Sequence, residues 1–184
     1  AQCFKKALEI DKEFAPALKG LAGCYVNQGN PAPGIVYAER ALKYEGHHVP
    51  TARTDLALLL LESGKWEEGF KEYRRRDGCA AYHVRDYGVP RWEGPPQKVG
   101  TLVLHAEQGI GDEILFASCL DDLYPYAERF VGECNDRLLP LFRRSFPKVR
   151  WYGSHEELMR AESGNIEAWE RLGDLPYWFR KSPS

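Results

Sequence analysis

Shifted against itself by 34 or 35 residues, the first part of this chain meets its own pattern of small and large side chains. Ala7-Leu8 recurs as Ala41-Leu42 at a step of 34, and Leu21-Ala22 as Leu56-Ala57 at a step of 35. Gly29 recurs as Gly64 and Gly34 as Gly69, again at 35, while Tyr25 meets Leu60 and Ala38 meets Tyr73. A period of this size means stacked helix–turn–helix units, none of which can bury its apolar face alone. Helices are predicted over 1–10, 15–28, 31–43, 51–62 and 65–76. Pro31 and Pro50 suit first turns, where a missing N–H costs nothing. Gly34 and Gly69 fall within second helices, and each is expected to weaken its helix by roughly 1 kcal/mol relative to alanine.

After residue 76 the period is lost. Residues 77–100 are rich in glycine, proline and aromatics and read as a connector, with Tyr82, Tyr87 and Trp92 expected to pack. From 101 a new rhythm begins. Strands are predicted over 101–106, 129–134 and 149–152, with helices over 112–123 and 137–145 between them. That alternation is the start of a parallel, doubly wound sheet. Ligands of such sheets bind beyond the carboxyl ends of the strands, which is where 107–112 falls.

This turn is the main candidate for chemistry. Gly109 and Gly111 allow unusual backbone angles and close approach of a ligand to the main chain. The helix beyond them offers free N–H groups. Yet Asp112 and Glu113 follow at once, and two carboxylates there would repel a pyrophosphate, which argues against an ordinary dinucleotide site. Asp112 has two readings. It can be the N-cap of the helix, worth about 1 kcal/mol, or a general base taking a proton from a substrate hydroxyl. His105, at the end of the first strand, can pack or contact a ligand. His47-His48 reads as a solvated turn between repeats, and His83 and His155 have no evident partner. Arg74-Arg75-Arg76 and Arg143-Arg144 read as solvated helix ends.

Composition narrows the class. A net charge of -2 excludes a nucleic-acid partner held mainly by phosphate attraction. The longest apolar run, 56–61, is too short for a membrane span. The five cysteines are scattered, with no metal or redox spacing, which suits a reducing cytoplasm. Ala1 opens inside a helical pattern and the chain stops without a closing element, so a piece of a longer protein is expected.

Two resemblances add to this. The segments LKGLAGCYVNQGN and TDLALLLLESGKW resemble the tetratricopeptide repeat over residues 1–76. They depart from it at Lys12 and Gly46, where proline is usual, and at Gly34 and Gly69, where alanine is commoner. The motifs AEQGIGDEILFASCL, ECNDRLLPLFRRSFP and GDLPYWFR then follow in order. The whole chain thus resembles bacterial tetratricopeptide-repeat proteins whose C-terminal region is similar to GT-B glycosyltransferases, the fold of heptosyltransferases and protein O-linked N-acetylglucosamine transferases. The resemblance implies an α plus α/β chain: repeats over 1–76, connector over 77–100, and the first Rossmann-like half of a GT-B fold over 101–184. It implies Asp112 as catalytic base, with Glu107, Gln108, Gly109, Gly111 and Glu113 as acceptor contacts. The implied reaction is metal-independent, inverting displacement at an anomeric carbon. The nucleotide-sugar donor would be held by a missing C-terminal half, so no transfer is expected from this chain alone. The repeats would bind a protein or peptide. A non-catalytic interaction module is the alternative.

Overall fold

A computed structural model describes residues 1–44, 46, 49–76, 85–107 and 109–182. Cys79, Tyr82, His47, His48, His83 and Gln108 lie outside the described residues. The chain combines helices with a four-stranded parallel sheet in two compact units, residues 1–80 with 180–184, and residues 81–179.

The first unit contains α1 (Gln2–Ile10), α2 (Ala15–Val26), α3 (Pro31–Ala41), α4 (Val49–Glu62) and α5 (Trp66–Tyr73). Its interior is built from Leu18, Ala22, Ala38, Ala41, Ala52, Leu56, Leu59 and Leu60, all of them buried. The two inner turns are copies of one another. Gly29 (φ 60°) and Gly64 (φ 82°) both take the left-handed conformation that ends a helix without a Cβ clash. The Asn30 N–H donates to the Tyr25 carbonyl and Lys65 N–H to Leu60, at 3.2 and 2.9 Å. Donors and acceptors alike are displaced by 35 residues, so the sequence period is also a period of hydrogen bonding.

Gly34 and Gly69 behave differently from their sequence expectation. A Cβ at Gly34 would stand 2.7 Å from Leu59 Cδ2 and 2.9 Å from Tyr25 Cβ. At Gly69 it would meet Leu61 Cγ at 2.7 Å and the Leu61 backbone nitrogen at 3.0 Å. Close helix approach, which propensity ignores, decides these positions. Gly69→Ala is therefore expected to lower stability by about 1–3 kcal/mol rather than raise it, as read by urea denaturation of the whole chain. A stabilised variant would show that the helices are not so tightly apposed. The arginine run is also not a simple solvated end: Arg76 is fully buried over the Tyr73 ring at 4.2 Å, while Arg75 pairs with Glu72 at 3.3 Å.

In the second unit the order is β1 (Val99–His105), α6 (Ile110–Ala117), α7 (Leu120–Leu123), β2 (Ala127–Glu133), α8 (Leu139–Ser145), β3 (Val149–Tyr152), α9 (His155–Glu162), β4 (Ala168–Arg171) and α10 (Leu175–Phe179). The strands lie in the order β3-β2-β1-β4, all parallel. The chain moves outward through β2 and β3, then returns to the far side of β1. Strand β4 was absent from the three-strand expectation, and the helix expected over 112–123 is two helices, with shorter-range turn bonds from Ser118 and Cys119 between them. On one sheet face Tyr87, Val103, Val131, Leu158 and Ile166 form a buried cluster.

The described part of the expected connector packs in this unit. Trp92 is fully buried, and its N–H donates to the Trp169 carbonyl at 2.8 Å. The Trp169 N–H in turn donates to the Pro90 carbonyl at 3.3 Å, so 90–92 lines the outer side of β4. Trp178 packs edge-on to Trp92, and Trp169 is tilted against Tyr87. No helix among the described residues is long and apolar enough to cross a membrane.

Candidate functional site

The carboxyl ends of β1, β2 and β3 open onto a crevice of about 250 Å3. Parallel register creates it. Leu104 of β1 pairs with Gly132, and Glu133 of β2 pairs with Tyr152 of β3, so the chain leaving each strand emerges beside its neighbours. Arg85, His105, Glu107, Glu113, Glu133, Cys134 and His155 supply its charged and titratable lining.

His105 closes β1 and is almost completely buried. Its Nδ1 lies 3.0 Å from the Tyr87 hydroxyl and 3.3 Å from Glu133 Oε1, so it is a packed histidine that also lines the crevice. Glu107 follows two residues later. It is buried, with Oε2 3.8 Å from Arg171 Nε at the end of β4. Glu113, on the first turns of α6, accepts the Asn135 N–H at 3.0 Å and so ties that helix to the loop after β2. Burial raises the Glu113 carboxyl above its ordinary range. The Asn135 bond works the other way, and the Asp112 charge adds to the rise.

Glu133 ends β2 with only 6% of its side chain exposed. Arg85 Nε donates to its Oε1 at 3.2 Å. Its other oxygen, Oε2, has no hydrogen bond among the described residues. His155 Nδ1 stands 3.6 Å away, beyond hydrogen-bond reach, and also lacks one among the described residues. Burial raises Glu133, against the pull of Arg85, with Glu156 and Glu113 adding to the rise. Burial, then Arg85, lowers His155, which favours the neutral ring. Burial also pushes the Cys134 thiol up to about 12, which leaves it an unreactive wall residue.

The expected site residues are partly separated. Glu107 and Glu113 line the crevice, and Gln108 lies outside the described residues. Gly109 is the residue that caps α6, in an extended conformation (φ −100°, ψ 165°) open to any residue. Neither Gly109 nor Gly111 adopts a positive φ, which corrects the expectation of unusual angles here. Gly111 has nothing among the described residues within 4 Å of an added Cβ. Asp112 is not the N-cap. The helix starts at Ile110, two residues earlier than expected, and Asp112 sits in its first turn, where Oδ2 accepts the Gly109 N–H at 3.2 Å. This is the reaching-back half of a capping box, held at the positive end of the helix. Asp112 is half-buried, while the crevice wall itself is made by Glu113 beside it.

Sequence reasoning missed Arg85, Glu133 and His155 as a group. Their separations in sequence carry no spacing signal: the β2–β3 register brings the end of Glu133's strand level with the segment that carries His155, and Arg85 reaches Glu133 from the stretch before β1. Among the described residues no three His, Cys, Asp or Glu side chains converge as metal ligands.

Comparison with known proteins gives a distant relative. The chain is 29% identical over 187 residues to Protein FlbA of Caulobacter vibrioides, a match covering 95% of this chain. No family model matches the chain. The match takes in 31% of FlbA, so the chain spans about a third of the length of the curated relative to which it is similar.

Proposed function

We propose that this chain is part of a tetratricopeptide-repeat protein with a glycosyltransferase-like region, in which the sheet unit forms the acceptor side of a sugar-transfer cleft. The observation that carries the reading is the turn from β1 to α6. It lies at the carboxyl end of a strand interior to a parallel β3-β2-β1-β4 sheet, with carboxylates of the EQGIGDE segment beside an open crevice. That strand order is the one expected of half a Rossmann-like fold. The two identical helix-pair turns support the tetratricopeptide reading of residues 1–76, and such stacks offer a continuous surface for a peptide.

On this reading Asp112 takes the proton of an acceptor hydroxyl, and that oxygen displaces the nucleotide from the anomeric carbon. Glu107, Gln108, Gly109, Gly111 and Glu113 surround the acceptor. The nucleotide-sugar donor is gripped by a second half outside this chain. Asp112→Asn in the complete protein is expected to reduce labelled-sugar transfer by about 100-fold or more. Unchanged transfer would remove Asp112 from the chemistry.

A non-catalytic interaction module is the second reading, favoured by the use of the Asp112 carboxylate in holding Gly109. It would hold if the complete protein bound peptide through its repeats but transferred no sugar.

A further inference from the structure

Glu133 Oε2 and His155 Nδ1 are buried polar atoms that face each other across 3.6 Å, and neither has a hydrogen bond among the described residues. Each orphan costs free energy, and one bond between them removes both losses. A closing of about 0.6 Å brings them within ordinary reach. The surroundings hold the two groups in line. Arg85 grips Glu133 by its other oxygen, Oε1, at 3.2 Å. Ser154 Oγ accepts the Glu157 N–H at 3.2 Å and so starts α9 at His155. The Tyr87 ring meets the imidazole edge to face, with ring centres 5.0 Å apart.

The charges around the pair decide where the ring proton sits. Burial and the Arg85 guanidinium lower His155, against Glu156 and Asp86, so the ring is neutral and has a single N–H to place. Burial raises Glu133, and Arg85 opposes the rise. An ionised carboxylate only accepts, so it draws that N–H to Nδ1 and leaves Nε2 bare. Nε2 is not enclosed as Nδ1 is, and His155 lines the crevice with 20% of its side chain exposed. A base oriented by a third group in this way is the general design of an activated imidazole.

We infer that Glu133 and His155 work as a dyad: the carboxylate holds the ring proton on Nδ1, and Nε2 accepts a hydrogen bond from a ligand hydroxyl in the crevice. Glu133 is the positioning residue and His155 the binding residue. The choice of a hydroxyl rests on the acceptor-site reading, in which Asp112 takes the reacting proton and Nε2 receives a different hydroxyl of the same acceptor. An imidazolium cannot accept, so binding through Nε2 weakens as the pH falls through the His155 midpoint.

Long-range proton–nitrogen NMR spectra of the whole chain read the tautomer directly. At neutral pH the His155 ring is expected to carry its proton on Nδ1, with Nε2 unprotonated. Glu133→Gln is expected to lower the His155 titration midpoint by about one pH unit. A parent ring protonated on Nε2, or a midpoint unmoved in Glu133→Gln, would overturn the dyad. The parent tautomer needs no substitution and decides the matter if that variant fails to fold. In the complete protein, His155→Ala is expected to raise the acceptor KM about tenfold with kcat nearly unchanged, and the parent's KM to rise in acid. A KM unmoved by both changes would overturn the binding role. Absence of any transfer would overturn the sugar reading and the hydroxyl that rests on it, while the tautomer still decides the dyad.

Discussion

Glu170→Ala is expected to destabilise the sheet unit by about 3–5 kcal/mol, the cost of breaking a buried ion pair by removing one partner. The Glu170 side chain is inaccessible to solvent. Its Oε1 receives Arg91 Nε at 2.7 Å and the Arg171 N–H at 3.0 Å, and its Oε2 receives Trp178 Nε1 at 3.3 Å. Removal deprives three donors at once. The Asp174 carboxylate, also inaccessible, remains on Arg91 and limits the loss. The network need not be a net source of stability, since well-packed apolar groups can replace such pairs without penalty. What it does is commit β4 and α10 to one arrangement. Guanidinium denaturation followed by tryptophan fluorescence reads the effect, because Trp92, Trp151, Trp169 and Trp178 all lie in this unit and only Trp66 does not. A loss below about 1 kcal/mol, the scale of an exposed pair, would mean that Asp174 alone suffices for Arg91.

Trp92→Ala is expected to cost a similar amount, about 3–5 kcal/mol. A residue in a mere connector would cost far less. Trp92 is fully buried, rests against Tyr126 and Trp178 at ring-centre distances of 5.7 and 5.9 Å, and donates its indole N–H to the Gln97 carbonyl at 3.1 Å. Truncation leaves a cavity the size of an indole and an unpaired carbonyl. Trp92→Phe should recover much of the packing but not the Gln97 bond. If Trp92→Ala unfolds at the same denaturant concentration as the parent, residues 85–98 are not part of the cooperative unit.

How far this architecture can be read from the chain depends on what each element buries. The helix pairs are legible because the residues they bury, such as Ala22, Ala38, Ala57 and Leu60, are apolar and recur with the period. Strands β1, β2 and β3 are legible as short apolar runs between helical patterns. Strand β4 is not, because AWER places Glu170 and Arg171 in the interior, and a buried acid next to a buried base looks like surface in a hydropathy pattern. The start of α6 was read two residues late because Asp112 has the side chain of a cap, while Gly109, which has none, takes the position. At the crevice, Glu107 and Glu113 were legible from the turn that carries them. Glu133 and His155 were not, since their meeting depends on Glu133 lying level with Tyr152 across two strands.

The segment 90–92 has one more consequence. By occupying both the N–H and the C=O of Trp169, it takes the main-chain groups that β4 would otherwise offer to a foreign strand. Addition of a foreign strand along β4 is thereby blocked at Trp169. The outermost strand on the opposite border, β3, has no such cover among the described elements.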